Sequence, residues 1–330
     1  TIQAFFLWQL IISVINIFLL VLFLWRKLPH SDNKAVFQKQ LLSGIWRFAA
    51  GMSGIAILST IVIQLDKVIL SKMLTLEMFG YYTLAGTVAM SLYRFIIPVF
   101  SAIYPSFTQL VSINDQDRLK QLYHKSCQFM SVLILPVAII VALFSYEIIL
   151  LWTQNPVTAE RTHLLVSILI CGTALHGLLY LPHALQLASG WISLPFFKTL
   201  IATILLVPLI IYMTTHYGAV GAAIVWMILH TGLFFIEIPI MHRRLLRTEK
   251  WRWYWQDVCI PLVACISVAG IGRILISGPM PQFTMMLYLI IISILTFGIA
   301  AIITPVTRTW LFEHLLKIKS VCGNFGGGLK

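Results

Sequence analysis

Arg94 is the residue whose type and position point most directly to chemistry. It stands 14 residues after Gly80 and 14 before Thr108, in an otherwise apolar stretch. On one continuous helix it lies about 20 Å from either end. A guanidinium is always charged and presents paired N–H donors to phosphate or carboxylate oxygens. Two readings follow. Arg94 is an anion-binding cation in a central cavity, or a structural arginine paired with a carboxylate on another helix.

Asp66 and Lys67 interrupt a second apolar run, with Gln64 one turn short of Lys67. They line a cavity mouth, pair locally, or mark a membrane interface. His176 and His230 fall in the middle of apolar runs. An imidazole there carries a coupling proton, because its pKa is near neutral, or it simply hydrogen-bonds between helices. His176 and His183 are seven apart and share a helical face, which also permits haem ligation. Glu237 near a basic loop reads as an interfacial ion pair. Asp66, His176 and His230 are the candidates for ion coupling.

Other chemistry is not signalled. No P-loop, H-E-x-x-H, G-x-S-x-G or complete G-x-G-x-x-G occurs. The cysteines Cys127, Cys171, Cys259, Cys265 and Cys322 form no C-x-x-C pair, so neither a zinc site nor a disulfide framework is indicated. No metal and no cofactor is expected.

The elements that hold these residues are membrane helices. Of 330 residues, 59% are hydrophobic and 10% charged. That is too few charges to cover a soluble fold of this size, and too much apolar content for disorder. The net charge of +12 does not mean nucleic acid, since binding it needs basic patches on a polar scaffold. Nine apolar runs are long enough to cross about 30 Å of hydrocarbon. They lie near 4–25, 46–70, 80–108, 127–144, 163–188, 195–212, 219–241, 257–276 and 283–304. The run at 46–70 is the weakest, because Asp66 and Lys67 interrupt it.

The charges order these runs. Eighteen Lys and Arg fall in alternate loops on one side; Lys67, Lys72, Arg161 and Arg273 fall on the other, and Arg94 remains inside a run. The positive-inside bias puts the larger set in the cytoplasm. The expected fold is an all-α integral membrane protein with nine transmembrane helices, N-terminus outside and C-terminus cytoplasmic. Trp25, Trp46, Trp191, Trp251, Trp253, Trp255 and Trp310 map to inner ends, and Trp8 and Trp152 to outer ends, as an aromatic belt. The Trp251–Trp255 cluster reads as an interfacial anchor or a partner site. Pro98, Pro136, Pro182, Pro208 and Pro239 mark internal kinks. Gly218 and Gly221-Ala222-Ala223 permit close packing. The Gly326–Gly328 tail reads as disordered. Thr1 is not a methionine and no signal-peptide pattern precedes the first run. With an odd helix count, a fragment lacking an N-terminal part is expected.

The stretch Gln64-Leu65-Asp66-Lys67-Val68-Ile69-Leu70, then Phe79-Gly80-Tyr81-Tyr82-Thr83-Leu84-Ala85, resembles bacterial polysaccharide flippases of the multidrug/oligosaccharidyl-lipid/polysaccharide exporter superfamily. Pro105-Ser106-Phe107 and Gly218-Ala219-Val220-Gly221-Ala222-Ala223 are similar to that family as well. The resemblance implies a division of the chain. Residues 1–45 would be the last helix of an N-terminal lobe with its linker, and 46–241 a six-helix C-terminal lobe. Residues 242–304 would be a loop and two additional helices, and 305–330 a basic tail. It implies a flippase that moves undecaprenyl-pyrophosphate-linked oligosaccharide across a bacterial inner membrane for O-antigen or related surface polysaccharide. Its partners would be the lipid-linked oligosaccharide, membrane lipids and other polysaccharide-assembly proteins, with no nucleic acid. Gly86-Thr87 stand where relatives carry an arginine, and Arg94 lies two turns on. The rival functions are a multidrug exporter of the same superfamily and a membrane enzyme such as a polysaccharide polymerase.

Overall fold

The computed structural model describes residues 2–27, 39–276, 278, 280–305 and 307–308. Lys34, Trp310, Cys322, the basic residues Lys317, Lys319 and Lys330, and the Gly-rich tail lie outside the described residues. The described residues form helices with no strand among them. In chain order these are α1 (Ile2–Lys27), α2 (Lys39–Met73), α3 (Leu76–Met90), α4 (Tyr93–Ser112), α5 (Gln116–Leu143) and α6 (Ser145–Thr153). They continue with α7 (Pro156–Leu178), α8 (Tyr180–Ala188), α9 (Ser193–Arg244), α10 (Lys250–Leu275) and α11 (Gln282–Ile303).

The chain divides into two compact units between Arg47 and Phe48, within α2. The first contains α1, whose 25-residue apolar segment is exposed along its length. In water such a surface would be costly; a lipid bilayer is the solvent that suits it. The second unit holds the core, centred on α7, which packs against α3, α5, α6 and α9.

Local chemistry sets the helix starts. Thr75 caps α3 by accepting from the Met78 N–H, and Asp115 caps α5 through the Arg118 N–H. Asn155 caps α7 ahead of Pro156, which needs no donor at a first-turn position. The α2 helix runs unbroken through Asp66 and Lys67 to Met73, because the one buried carboxylate finds a partner on α3, described below.

Two of the expected helices are broken. The run around Arg94 is two helices, with a tight turn at Ser91 and Leu92. There the Leu92 N–H bonds the Ala89 carbonyl at 3.3 Å and the Arg94 N–H bonds the Ser91 carbonyl at 3.0 Å, the shorter i to i−3 spacing. Pro98 has no N–H to give the carbonyl of Arg94, which removes the bond that would have held the α-helix straight. The run containing His176 breaks in the same way at Leu179, whose N–H bonds the His176 carbonyl at 3.0 Å. Pro182 is four residues beyond Leu178, so the same cause applies. The halves pack in matched pairs, α3 on α7 and α4 on α8.

The α9 helix spans 52 residues, about 78 Å if straight. It bends at Gly218, whose φ of 57° and ψ of −142° suit a residue without Cβ. The bend makes two spans of it. Counting α3 with α4 and α7 with α8, the described residues supply nine membrane-length helical segments. The protein is an all-α, multi-pass membrane protein.

The start of α10 is a π-helical turn, Trp253–Cys259. Trp253 is fully buried, whereas Trp251 and Trp255 are exposed. The expected belt therefore keeps the outer two of this cluster and loses Trp253 to the core, against Phe234. Asp257 in the same turn meets α5: its carboxylate contacts His124 Nδ1 at 2.5 Å and accepts from Gln128 Nε2 at 2.9 Å. Glu249, just before α10, lies 3.1 Å from His124 Nε2. Cys127, Cys171, Cys259 and Cys265 are free thiols.

Candidate functional site

The second unit contains a cavity of about 700 Å³. Its walls come from α2 (Asp66, Lys67), α3 (Tyr82, Thr83 and Gly86 to Met90), the turn at Ser91 with Arg94, α6 (Ile148, Trp152), α7 (Leu169, Thr173) and α9 (Trp226). The structure thus brings together Asp66 and Lys67 of α2 with Arg94 of α4, 28 or fewer positions apart in sequence.

Arg94 is not in the middle of a helix. It occupies the first turn of α4, immediately after the break. The side chain is exposed, and its guanidinium makes no ion pair among the described residues. The structural-arginine reading required a carboxylate partner, and none is present among the described residues. What remains is a permanently charged donor facing a cavity.

Asp66 is buried and fully engaged. One carboxylate oxygen accepts from the Lys67 backbone N–H at 2.6 Å and the other from the Tyr82 hydroxyl at 3.1 Å. No Asp66–Lys67 side-chain ion pair forms among the described residues. Lys67 is exposed, with its ammonium 3.5 Å from Gln64 Oε1. Gln64 therefore touches the site through Lys67 rather than as a wall of the cavity. The cavity surface carries two cations that form no side-chain ion pair among the described residues and one carboxylate hydrogen-bonded to tyrosine.

His176 and His230 sit one layer behind the wall. Trp226 lines the cavity, its indole N–H donates to Thr173 Oγ1 at 3.3 Å, and its ring stands 4.3 Å from that of His230. The His230 ring lies 4.4 Å from His176, and His176 Nδ1 shares a 2.6 Å hydrogen bond with the Tyr93 hydroxyl. His183 lies beyond the break at Leu179, where its ring stacks on Phe100. Close approach makes this packing possible: a Cβ on Gly172 would come within 2.7 Å of the Trp226 ring.

Several residues of the site were not singled out from sequence. Tyr82 appears there only inside the Gly-Tyr-Tyr motif, yet it holds Asp66. Trp152 maps to the outer belt, yet it lines the cavity with its ring 58% exposed. Thr173 and Trp226 carried no signal beyond helix composition. Glu237 does form an ion pair, but with Lys198 at 2.5 Å, within α9 itself across the Gly218 bend, and not with the loop that follows.

The segment that supplies Asp66, Lys67, Tyr82 and Arg94 is also the one that matches known proteins. A family model described as "Polysaccharide biosynthesis protein" covers residues 2–155. Over 184 residues the chain is 27% identical to a putative O-antigen transporter of Shigella flexneri, covering 55% of this chain and 42% of that protein. The chain therefore spans less than half the length of this curated relative. Across residues 2–155, with the cavity cations inside the matched segment, the chain is similar to the polysaccharide biosynthesis protein family.

Proposed function

We propose that the protein is a flippase for undecaprenyl-pyrophosphate-linked oligosaccharide, carrying repeat units from the cytoplasmic to the outer leaflet of a bacterial inner membrane. The observation that carries this reading is the cavity that exposes Arg94 and Lys67, neither of them in a side-chain ion pair among the described residues. A pyrophosphate brings negative charge and many acceptor oxygens, and an unpaired guanidinium supplies fixed donors for it. The Trp152 ring and the hydroxyls of Thr83, Thr87 and Ser91 on the same walls suit the apolar faces and hydroxyls of sugars. The lipid tail would stay in the bilayer.

In this reading the N-terminus is outside and the C-terminus cytoplasmic, and residues 46–241 form one lobe of a two-lobed transporter. Residues 1–45 belong to the other lobe and its linker, 242–304 add two helices, and 305–330 form a basic tail. Alternating access comes from one lobe rocking against the other. Asp66, His176 and His230 are the groups through which an ion couples to that motion. The printed name of the Shigella relative, an O-antigen transporter, supports transport over bond chemistry.

A multidrug exporter selecting cations would want a free acidic group in the cavity, and Asp66 is already engaged by Tyr82. Complementation tests the flippase reading. Arg94→Ala in the full-length protein, at normal expression, is expected to abolish surface polysaccharide and leave unflipped lipid-linked repeat units in the inner leaflet. Unimpaired polysaccharide removes the role of Arg94. Accumulated single repeat units already in the outer leaflet would indicate a polymerase instead.

A further inference from the structure

Glu237 is 1% exposed, deep in the second unit. Its Oε1 accepts twice, from Lys198 Nζ at 2.5 Å and from Gln186 Nε2 at 2.7 Å. Among the described residues its Oε2 accepts from nothing, and Gln186 Oε1, on a residue that is itself fully buried, is also without a donor. The two groups thus share one hydrogen bond and leave one bare oxygen each. Both bare atoms are acceptors, and burying an acceptor without a donor is costly. A primary amide and a protonated carboxyl satisfy each other completely through a pair of bonds, amide N–H to acid carbonyl and acid O–H to amide carbonyl. The first of those bonds is present. One proton on Oε2 supplies the second and satisfies both bare oxygens together.

We propose that Glu237 is a proton-binding site, closed by Gln186 and switched by Lys198. In the ionised state the carboxylate holds the ammonium of Lys198. In the protonated state, with the proton taken from bulk water onto Oε2, the acid pairs with Gln186, and Lys198 becomes an uncompensated cation. Lys198 keeps 17% of its side chain exposed, so it has room to reach another anion. Other titratable groups within electrostatic reach of the pair are His183 on α8, His176 on α7, His230 on α9 and the Tyr123 hydroxyl on α5. The Lys198 charge acts on all three histidines, and the Glu237 charge acts on Tyr123. This centre is separate from Asp66. Proton binding stands on the geometry of the pair; its use in driving transport rests on the flippase reading.

Difference infrared spectroscopy of the purified protein in lipid nanodiscs tests the proposal without transport substrate. Acidification is expected to produce a protonated-carboxyl stretch that isotope-labelled glutamate shifts in the unmutated protein and that Glu237→Gln removes. Asp66→Asn should leave it in place. Gln186→Leu should move the band to higher frequency, since the acid loses its amide partner. Lys198→Met should make the band visible already at neutral pH. A band that persists in Glu237→Gln, or one that Gln186→Leu leaves unmoved, overturns the proposal. So does Lys198→Met with no acid band at neutral pH. Polysaccharide export by the same variants is read separately, so a failed flippase reading and a failed proton site give different results.

Discussion

The Tyr93 hydroxyl and His176 Nδ1, 2.6 Å apart, join the two broken helices at the level of their breaks. Tyr93 is the first residue of α4 and His176 is three residues before Leu179, where α7 ends. Pro98, six residues past Leu92, and Pro182, three past Leu179, each remove a backbone donor just beyond a break. The hydrogen bond fixes one interruption against the other. Tyr93→Phe is therefore expected to cost roughly 0.6–1.7 kcal/mol, the range for hydrogen bonds between membrane helices. The check is a thermal unfolding midpoint in detergent, and an unchanged midpoint would mean the two breaks hold their register by packing alone.

Asp66 and Tyr82 should behave as a unit. Tyr82→Phe leaves a buried carboxylate oxygen without its donor and is expected to destabilise by about 1–3 kcal/mol. Asp66→Asn removes the charge. The double variant should cost less than the sum of the two singles, because both act on the same contact. Additive losses in chemical denaturation would show that the 3.1 Å contact contributes nothing to stability.

Gly218 predicts a backbone penalty. Its φ of 57° with ψ of −142° belongs to a region open to glycine and closed to residues with Cβ, so Gly218→Ala should cost about 1–3 kcal/mol. Gly86→Ala, where no atom lies within 4 Å of a built Cβ, serves as the comparison and should be near neutral. Equal effects of the two would show that the bend relaxes freely.

Acid should loosen the start of α10. Burial works against the charge of Glu249, but hydrogen bonds from Thr248 and His124, with the charges of His124 and Arg252, hold its carboxyl below the ordinary carboxylate value. A depressed folded value means that the stabilisation is present above the unfolded value, about 4.3 for Glu, and is lost as pH falls through the folded one. The melting temperature should thus drop on acidification below about pH 4, and Glu249→Gln should flatten that part of the profile. A profile unchanged by the substitution would place the acid sensitivity elsewhere.

Sequence patterns revealed the spans because the bilayer imposes them: apolar length and loop charge are set by solvent, not by neighbours. Arg94, Asp66 and Lys67 stood out for the same reason, as charges in the wrong solvent, and the structure places all three on one cavity. The breaks at Leu92 and Leu179 were half legible. Pro98 and Pro182 announced a kink, but whether a kink becomes an interruption depends on what packs beside it. Tyr82, Trp226 and Gln186 were hidden because their significance is relational. A tyrosine or glutamine in an apolar helix says little until the carboxylate it meets, 16 residues away for Tyr82 or 51 for Gln186, is known. Trp253 misled for a geometric reason: residues two apart on a helix point to opposite faces, so Trp251 and Trp255, four apart, stay exposed together while Trp253 between them turns inward.

The paired breaks divide the labour of the second unit into two storeys. Apart from Ser91 and Arg94 at the landing between them, every wall residue contributed by the two broken spans lies on α3 or α7, while Gln186 lies on α8. Arg94 and His176 flank the seam from the two spans that cross it. A tilt of the upper storey on the lower changes the shape of the cavity without unwinding any helix, because the hydrogen bonds that would resist it are already missing. The prolines have made a joint of what would otherwise be two stiff rods.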